Sequence, residues 1–90
     1  MQQNHEECLI NIYVKKIQAL AVQALDGVDV SQNVKAVVAE ACTHFDAVVT
    51  SSPEKNRAAF KGRLSIYGDV VHESQPKYRD TLKYAASLVD

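Results

Sequence analysis

The apolar side chains of residues 31–50 recur with the period of an α-helix, and this pattern constrains the fold more than any other feature. Valine is frequent in the stretch and also suits a β-strand. A half-buried strand, however, requires apolar and polar residues to alternate, and here they do not. We therefore predict an amphipathic helix over residues 31–50 with Ser31 as its N-cap. Its apolar face comprises Val34, Val37, Val38, Ala41, Cys42, Phe45, Val48 and Val49.

The segment before this helix carries apolar residues around most of a helical circumference. It predicts a helix over residues 5–26, and Gly27 follows in the position where glycine commonly ends a helix. A helix with so broad an apolar surface has to be covered from more than one side. Because the connection after Gly27 is short, the first two helices are expected to run antiparallel.

Two further helices are predicted from their start signals. Ser52 followed by Pro53 indicates an N-cap and a first helical position, so a helix is expected over residues 53–72. Pro76 marks the start of a last helix over residues 76–89.

The four segments together predict an all-α fold, a compact antiparallel bundle of four helices that forms a single domain over residues 1–90. Either the bundle closes its core within one chain, or dimerisation completes it. Gly62 and Gly68 interrupt the third helix at a cost of about 1 kcal/mol each. We interpret them as positions where a neighbouring helix approaches closely or where the helix bends.

Composition limits the compartment and the class of protein. With 47% hydrophobic residues, 23% charged residues and a net charge of −1, the chain is typical of globular proteins and not of disordered ones. The start of the chain lacks the pattern of a signal peptide, and no apolar run approaches the ~20 residues of a membrane span. Cys8 and Cys42 lie in apolar helical patterns, which suits a reducing compartment. We expect a soluble cytoplasmic protein without membrane contact.

Four potential zinc ligands occur in the first two helices: His5, Cys8, Cys42 and His44. Cys42 and His44 are two residues apart and point about 200° away from each other on a helix. Antiparallel packing also separates Cys8 from Cys42 by roughly 10 Å along the helix axes. The sequence therefore predicts no metal site.

The side chains available for acid–base catalysis are scattered along the helices. They comprise His44, His72, Glu6, Glu7, Asp46, Asp69 and Glu73. No nucleophile motif, glycine-rich phosphate loop or pair of histidines at metal-ligand spacing accompanies them. Four short helices are also expected to leave little room for a cavity of several hundred Å3. We predict that the chain is not an enzyme and uses no cofactor.

Charge is divided unequally along the chain. Residues 1–50 carry three basic and six acidic side chains, whereas residues 51–90 carry seven basic and five acidic ones. A basic surface on the last two helices is the footprint of nucleic-acid binding, although the sequence pI of about 6.3 is low for that class. The alternative prediction is therefore a nucleic-acid-associated regulator that uses Lys55, Arg57, Lys61, Arg63, Lys77 and Lys83.

The leading prediction rests on apolar surface that the core does not need. The third helix has a second apolar line at Ala59, Ile66 and Val70, and tyrosines suit interfaces because the ring can be buried while the hydroxyl stays wet. We predict a small protein-interaction module, acting as an adaptor, inhibitor or regulatory accessory protein, that forms a homodimer and binds a protein partner. The predicted interface residues are Tyr13, Ile17, Tyr67, Tyr78, Tyr84 and Leu88.

Overall fold

A computed structural model describes residues 5–47, 52–70 and 75–89 of the chain. These residues form four α-helices and no β-strand: α1 (His5–Leu25), α2 (Ser31–Ala47), α3 (Pro53–Val70) and α4 (Pro76–Leu88). The predicted all-α fold of four helices is confirmed. The predicted ends of the second and third helices, residues 48–50 and 71–72, lie outside the described residues.

The helices form an antiparallel bundle in which each contacts the other three. Contacts near the start of α1 are made with the end of α2, as expected for two helices joined by a short turn. The Tyr13 hydroxyl lies 2.7 Å from His44 Nδ1, and Lys16 Nζ lies 3.6 Å from Glu40 Oε2. Ion pairs also join the other consecutive helices. Asp46 of α2 pairs with Arg57 of α3, and Asp69 of α3 pairs with Lys83 of α4.

Gly27 ends α1 in the predicted way. It adopts a φ of +89°, in the left-handed region that favours glycine. Its N–H donates to the carbonyl of Ala24 at 3.0 Å, and the N–H of Val28 donates to the carbonyl of Gln23 at 3.2 Å. This pair of hydrogen bonds is a Schellman motif, which satisfies two carbonyls that the helix leaves unpaired.

The predicted role of Ser31 as N-cap of α2 is wrong. The carbonyl of Val30 accepts the first helical hydrogen bond, from Val34 N at 2.8 Å, so Val30 occupies the cap position. Ser31 is instead a donor: its backbone N–H and its hydroxyl both reach Asp29 Oδ1, at 3.0 and 2.8 Å. The Asp29 carboxylate thus holds the Ser31 hydroxyl as a donor in an Asx-type turn just before the helix, and a charged acceptor makes such hydrogen bonds stronger.

Ser52 caps α3 as predicted. Its hydroxyl accepts a hydrogen bond from Lys55 N at 3.4 Å, and its carbonyl accepts one from Asn56 N at 3.1 Å. Pro53 is the first residue of the helix, where its missing N–H costs nothing.

Three aromatic rings form the centre of the core and join three helices. Phe45 of α2 packs edge-to-face against Tyr13 of α1, with ring centroids 6.2 Å apart, and against Phe60 of α3, at 5.8 Å. Leu82 and Ala85 complete the core from α4 and are fully buried. Edge-to-face pairs add about 0.5–1.5 kcal/mol each beyond the burial of their area.

The two glycines within α3 have different surroundings. A Cβ at Gly68 would lie 3.2 Å from Lys83 Cε, so close packing is the correct interpretation there. Among the described residues, a Cβ at Gly62 would meet nothing within 4 Å. Close approach of the described part of the chain therefore does not explain Gly62.

Replacing Gly27 tests the turn between α1 and α2. We expect Gly27→Ala to lower the free energy of unfolding by about 1 kcal/mol, because an L side chain is strained at this φ although space is available. Gly27→Asn should lose less, since asparagine tolerates the left-handed region. Urea denaturation monitored by circular dichroism measures both, and equal stability of the alanine variant and the parent chain would contradict this account.

Candidate functional site

A groove of about 330 Å3 lies between the α1–α2 connection and the first turns of α4. The helices therefore leave more room than expected from the sequence. The reason is local: small residues at Ala24, Gly27 and Thr81 leave space where longer side chains would fill it. The lining residues are Ala24, Gly27, Val28, Asp29, Val30, Ser31, Val34, Lys77, Asp80, Thr81 and Tyr84.

The interior of the groove is apolar. Ala24, Val30 and Val34 are buried core residues that form part of its surface. The hydroxyls of Thr81 and Ser31 already have partners within the chain: Thr81 Oγ1 donates to the carbonyl of Lys77 at 2.8 Å, and Ser31 Oγ donates to Asp29. A bound group therefore meets mainly hydrocarbon inside the groove.

The charged groups of the groove are exposed residues at its rim. Asp29 and Asp80 supply two carboxylates, and Lys77 supplies one ammonium group. Hydrogen bonds from the backbone N–H and the hydroxyl of Ser31 hold the pKa of Asp29 below its ordinary value. Asp80 pairs with its sequence neighbour Arg79 at 3.4 Å, in an exposed ion pair that contributes little free energy. An apolar interior with a net acidic rim favours an apolar group that has a cation beside it.

A second group of titratable side chains joins α1 to α2. The Tyr13 ring is buried, and its hydroxyl lies 2.7 Å from His44 Nδ1 and donates to Glu40 Oε2 at 3.2 Å. Lys16 Nζ lies 3.6 Å from the same Glu40 oxygen and 5.0 Å from the centroid of the Tyr13 ring. Burial raises the pKa of Tyr13, and the hydrogen bond and charge of Glu40 raise it further. The neutral phenol is therefore the form that the folded chain stabilises.

The structure separates the predicted interface residues into three groups. Tyr13 and Ile17 are 2% and 0% exposed, so they belong to the core of one chain and are not available as surface residues. The physical reason is that α1 is covered by all three other helices. Tyr84 lines the groove, and Tyr67 is exposed near the end of α3. Tyr78 and Leu88 are partly buried and pack against the core.

Half of the predicted nucleic-acid residues are engaged with side chains of another helix. Three of the six have partners on another helix: Arg57 with Asp46 at 2.6 Å, Arg63 with Asn11, and Lys83 with Asp69. Six residues separate Lys55 from Lys61, and six separate Lys77 from Lys83, which is about 120° around a helix in each case. No observation of the structure favours this alternative, and it stays a prediction.

The potential catalytic and metal-binding residues are likewise dispersed. His44, Asp46 and Asp69 are each engaged with a side chain of another helix. Within residues 9–47, 52–70 and 75–89, no group of three or more His, Cys, Asp or Glu side chains could hold a metal ion. Cys42 is a free cysteine that packs partly against the core. The side chains of residues 5–8 and 71–74, which include the other candidates, lie outside the described part.

A patch of exposed apolar side chains lies at the end of α3. Ile66 is 60% exposed and Val70 is 70% exposed, and a spacing of four residues makes them neighbours on the helix surface. Both belong to the second apolar line of this helix in the sequence. A search for interface tyrosines alone would not have identified Ile66 and Val70.

Comparison of the chain with protein-family models, with curated proteins and with solved structures gives no match. Among the helices of the described residues, none is both long enough and apolar enough to cross a membrane. The candidate sites therefore stand on geometry and chemistry alone.

The contact between Asp29 and Ser31 predicts a pH dependence of stability. Because the pKa of Asp29 is lowered on folding, its contribution is present above the unfolded value of about 3.8 and is lost as the pH falls through the folded pKa. We expect Asp29→Asn to flatten the stability profile in this acidic range. Asp26→Asn removes the same charge without touching this contact and serves as the control. Identical urea-denaturation profiles for the two variants would contradict the assignment.

The buried phenol predicts the opposite behaviour at high pH. Because the pKa of Tyr13 is raised on folding, its contribution is present below the unfolded value near 10 and is lost as the pH rises through the folded pKa. Absorbance of the phenolate should show one of the four tyrosines titrating last. Tyr13→Phe should remove that last phase, whereas Tyr78→Phe should retain it. If Tyr78→Phe removed the last phase instead, that phase would belong to Tyr78, and its assignment to Tyr13 would be wrong.

Proposed function

We propose that the chain is a small, cytoplasmic, non-enzymatic protein-interaction module, acting as an adaptor, inhibitor or regulatory accessory protein. Its binding site is the groove between the α1–α2 connection and α4. The observation that carries this proposal is the distribution of polarity within the groove, which is apolar inside and charged at the rim. Protein interfaces have this anatomy, with an apolar centre and a polar edge.

The size and openness of the site support a side chain of a partner protein as the bound group. A space of about 330 Å3 is at the lower limit for small-molecule sites and accommodates a large aliphatic or aromatic side chain with its neighbours. Interface energy is concentrated in a few such buried anchors. Val28, 48% exposed on the wall, and Tyr84 supply the contact surface that an anchor would cover.

The charges at the rim of the groove favour some partner segments over others. Asp29 supplies one negative charge, and hydrogen bonds from Ser31 lower the pKa of its carboxyl group; Asp80 adds a second negative charge. A lysine or arginine beside the anchor would pair with these carboxylates, and a carboxylate beside it would be repelled by both. Lys77 supplies one positive charge and leaves the rim net negative. The partner segment is therefore an apolar residue flanked by basic ones.

Selection from a displayed library of random short peptides tests the proposal. We expect enrichment of peptides in which Leu, Ile or Phe is flanked by Lys or Arg. Their affinity should fall at least about tenfold for Val28→Glu and for Asp80→Lys, because the first adds a charge to the apolar wall and the second reverses the rim.

Val22→Glu is the matched control. Val22 is also a valine, is 52% exposed, and lies on α1 outside the groove. Circular dichroism of all variants establishes that they fold. Peptides that bind the Val28 and Asp80 variants as well as they bind the parent chain would assign binding to another surface. Failure to enrich any sequence would count against the groove as a protein-binding site.

A further inference from the structure

The outward face of α3 is a second surface, distinct from the groove. Its residues follow one another at spacings of four, three, four and three: Lys55, Ala59, Gly62, Ile66 and Asp69, with Val70 beside the last. At 100° per residue these positions fall within about 100° of arc and form one face of the helix. The buried residues Phe60 and Leu64 lie on a different side of the helix.

Two properties make this face unusual for the surface of a single chain. Ile66 and Val70 are the two most exposed large apolar side chains of the described residues, at 60% and 70%. Between them and Lys55 lies Gly62, which weakens the helix by about 1 kcal/mol relative to alanine. No described atom of the chain would contact a Cβ at that position, so packing among the described residues does not require the glycine.

We propose that this face binds a second copy of the chain, with the two α3 helices antiparallel about a twofold axis at Gly62. A glycine at the axis, next to the small residues Ala58 and Ala59, lets two helix backbones approach closely. In an isologous contact, the same surface of the two copies has to complement itself. On this face, residues at equal distances before and after Gly62 complement each other.

The register follows from the axis. Ile66, four residues after Gly62, lies level with Ala58, four residues before it on the second copy, and beside Ala59, so a large side chain packs over small ones. Asp69, seven residues after the axis, faces Lys55, seven residues before it. Each end of the interface therefore carries an ion pair between opposite charges, and the two pairs are about 21 Å apart along the helix.

The charges at the ends are available for these pairs. The Lys55 ammonium group forms no ion pair within the described part of the chain. Asp69 contacts Lys83 of its own chain, but its side chain is 67% exposed, and a carboxylate accepts from two cations at once. The aliphatic stem of Lys55 also covers Val70 of the second copy.

Charge reversal tests both the surface and the register. Lys55→Glu makes both ends of the face acidic, and Asp69→Lys makes both ends basic, so each variant repels its own copies. A mixture of the two variants restores opposite charges at both ends. We expect the parent chain to dimerise in the micromolar range, because one pair of facing helices is a small interface. Each variant alone should dimerise at least about tenfold more weakly, and the equimolar mixture should recover the parent affinity.

Solution mass by light scattering or sedimentation over a concentration series gives the readout. Lys83→Gln is the control for Asp69→Lys, because it removes the same contact within the chain while leaving the face intact, and it should dimerise like the parent. Ile66→Ser should be monomeric, whereas Ile12→Ser, at an exposed isoleucine of α1, should not differ from the parent.

Three results would overturn the proposal. A parent chain that stays monomeric throughout the series would show that this face does not bind a second copy. Single variants that dimerise like the parent would place the contact elsewhere. A mixture that stays monomeric would exclude the antiparallel register. These results do not test the groove, because the charge-reversal variants leave it unchanged. Val28→Glu, which tests the groove, leaves the α3 face unchanged.

Discussion

The edge-to-face packing of Tyr13, Phe45 and Phe60 is the interaction on which the rest of the bundle depends. The three rings come from three different helices, so their contacts fix the distance and register of α1, α2 and α3 at once. Leu82 and Ala85 of α4 complete the same core. Because rings of this size cannot shift without leaving a cavity, the core specifies one arrangement of the helices.

Polar contacts between helices follow from that arrangement and reinforce it at the edges. Burying the Tyr13 ring brings its hydroxyl to the boundary with solvent, where Glu40 and His44 can reach it. Asp46 with Arg57 then connects α2 to α3, and Asp69 with Lys83 connects α3 to α4. Such exposed ion pairs contribute little free energy individually. They set register between neighbouring helices more than they set stability.

The two candidate binding surfaces lie where packing of the core leaves space or leaves apolar side chains uncovered. Around the α1–α2 connection, small residues leave a groove, and its rim carries carboxylates from both the connection (Asp29) and α4 (Asp80). On α3, the core requires only the face that contains Phe60 and Leu64, which leaves Ile66 and Val70 in solvent. One surface is concave and acidic at its edge, whereas the other is a convex, self-complementary helix face. They therefore suit different partners.

Some of this could be predicted from the sequence because its causes are local. The spacing of the apolar residues and the helix-end signals at Gly27, Ser52 and Pro53 depend on residues a few positions apart. These local patterns predicted the four helices closely. Interface residues were predicted less well. Tyrosines suit a core and an interface equally, so residue type could not separate the buried Tyr13 from Tyr84 in the groove. The second apolar line of α3 was visible in the sequence, but its exposure was not.

The sequence by itself determined which segments are helical, how they end, and which face of each is apolar, because these properties arise from backbone preference and side-chain period. Only the tertiary structure decided which apolar faces are covered and that a groove remains beside α4. Those outcomes depend on distances between residues far apart in the chain. Such distances are fixed by the packing of side-chain volumes in the core, which no local pattern encodes.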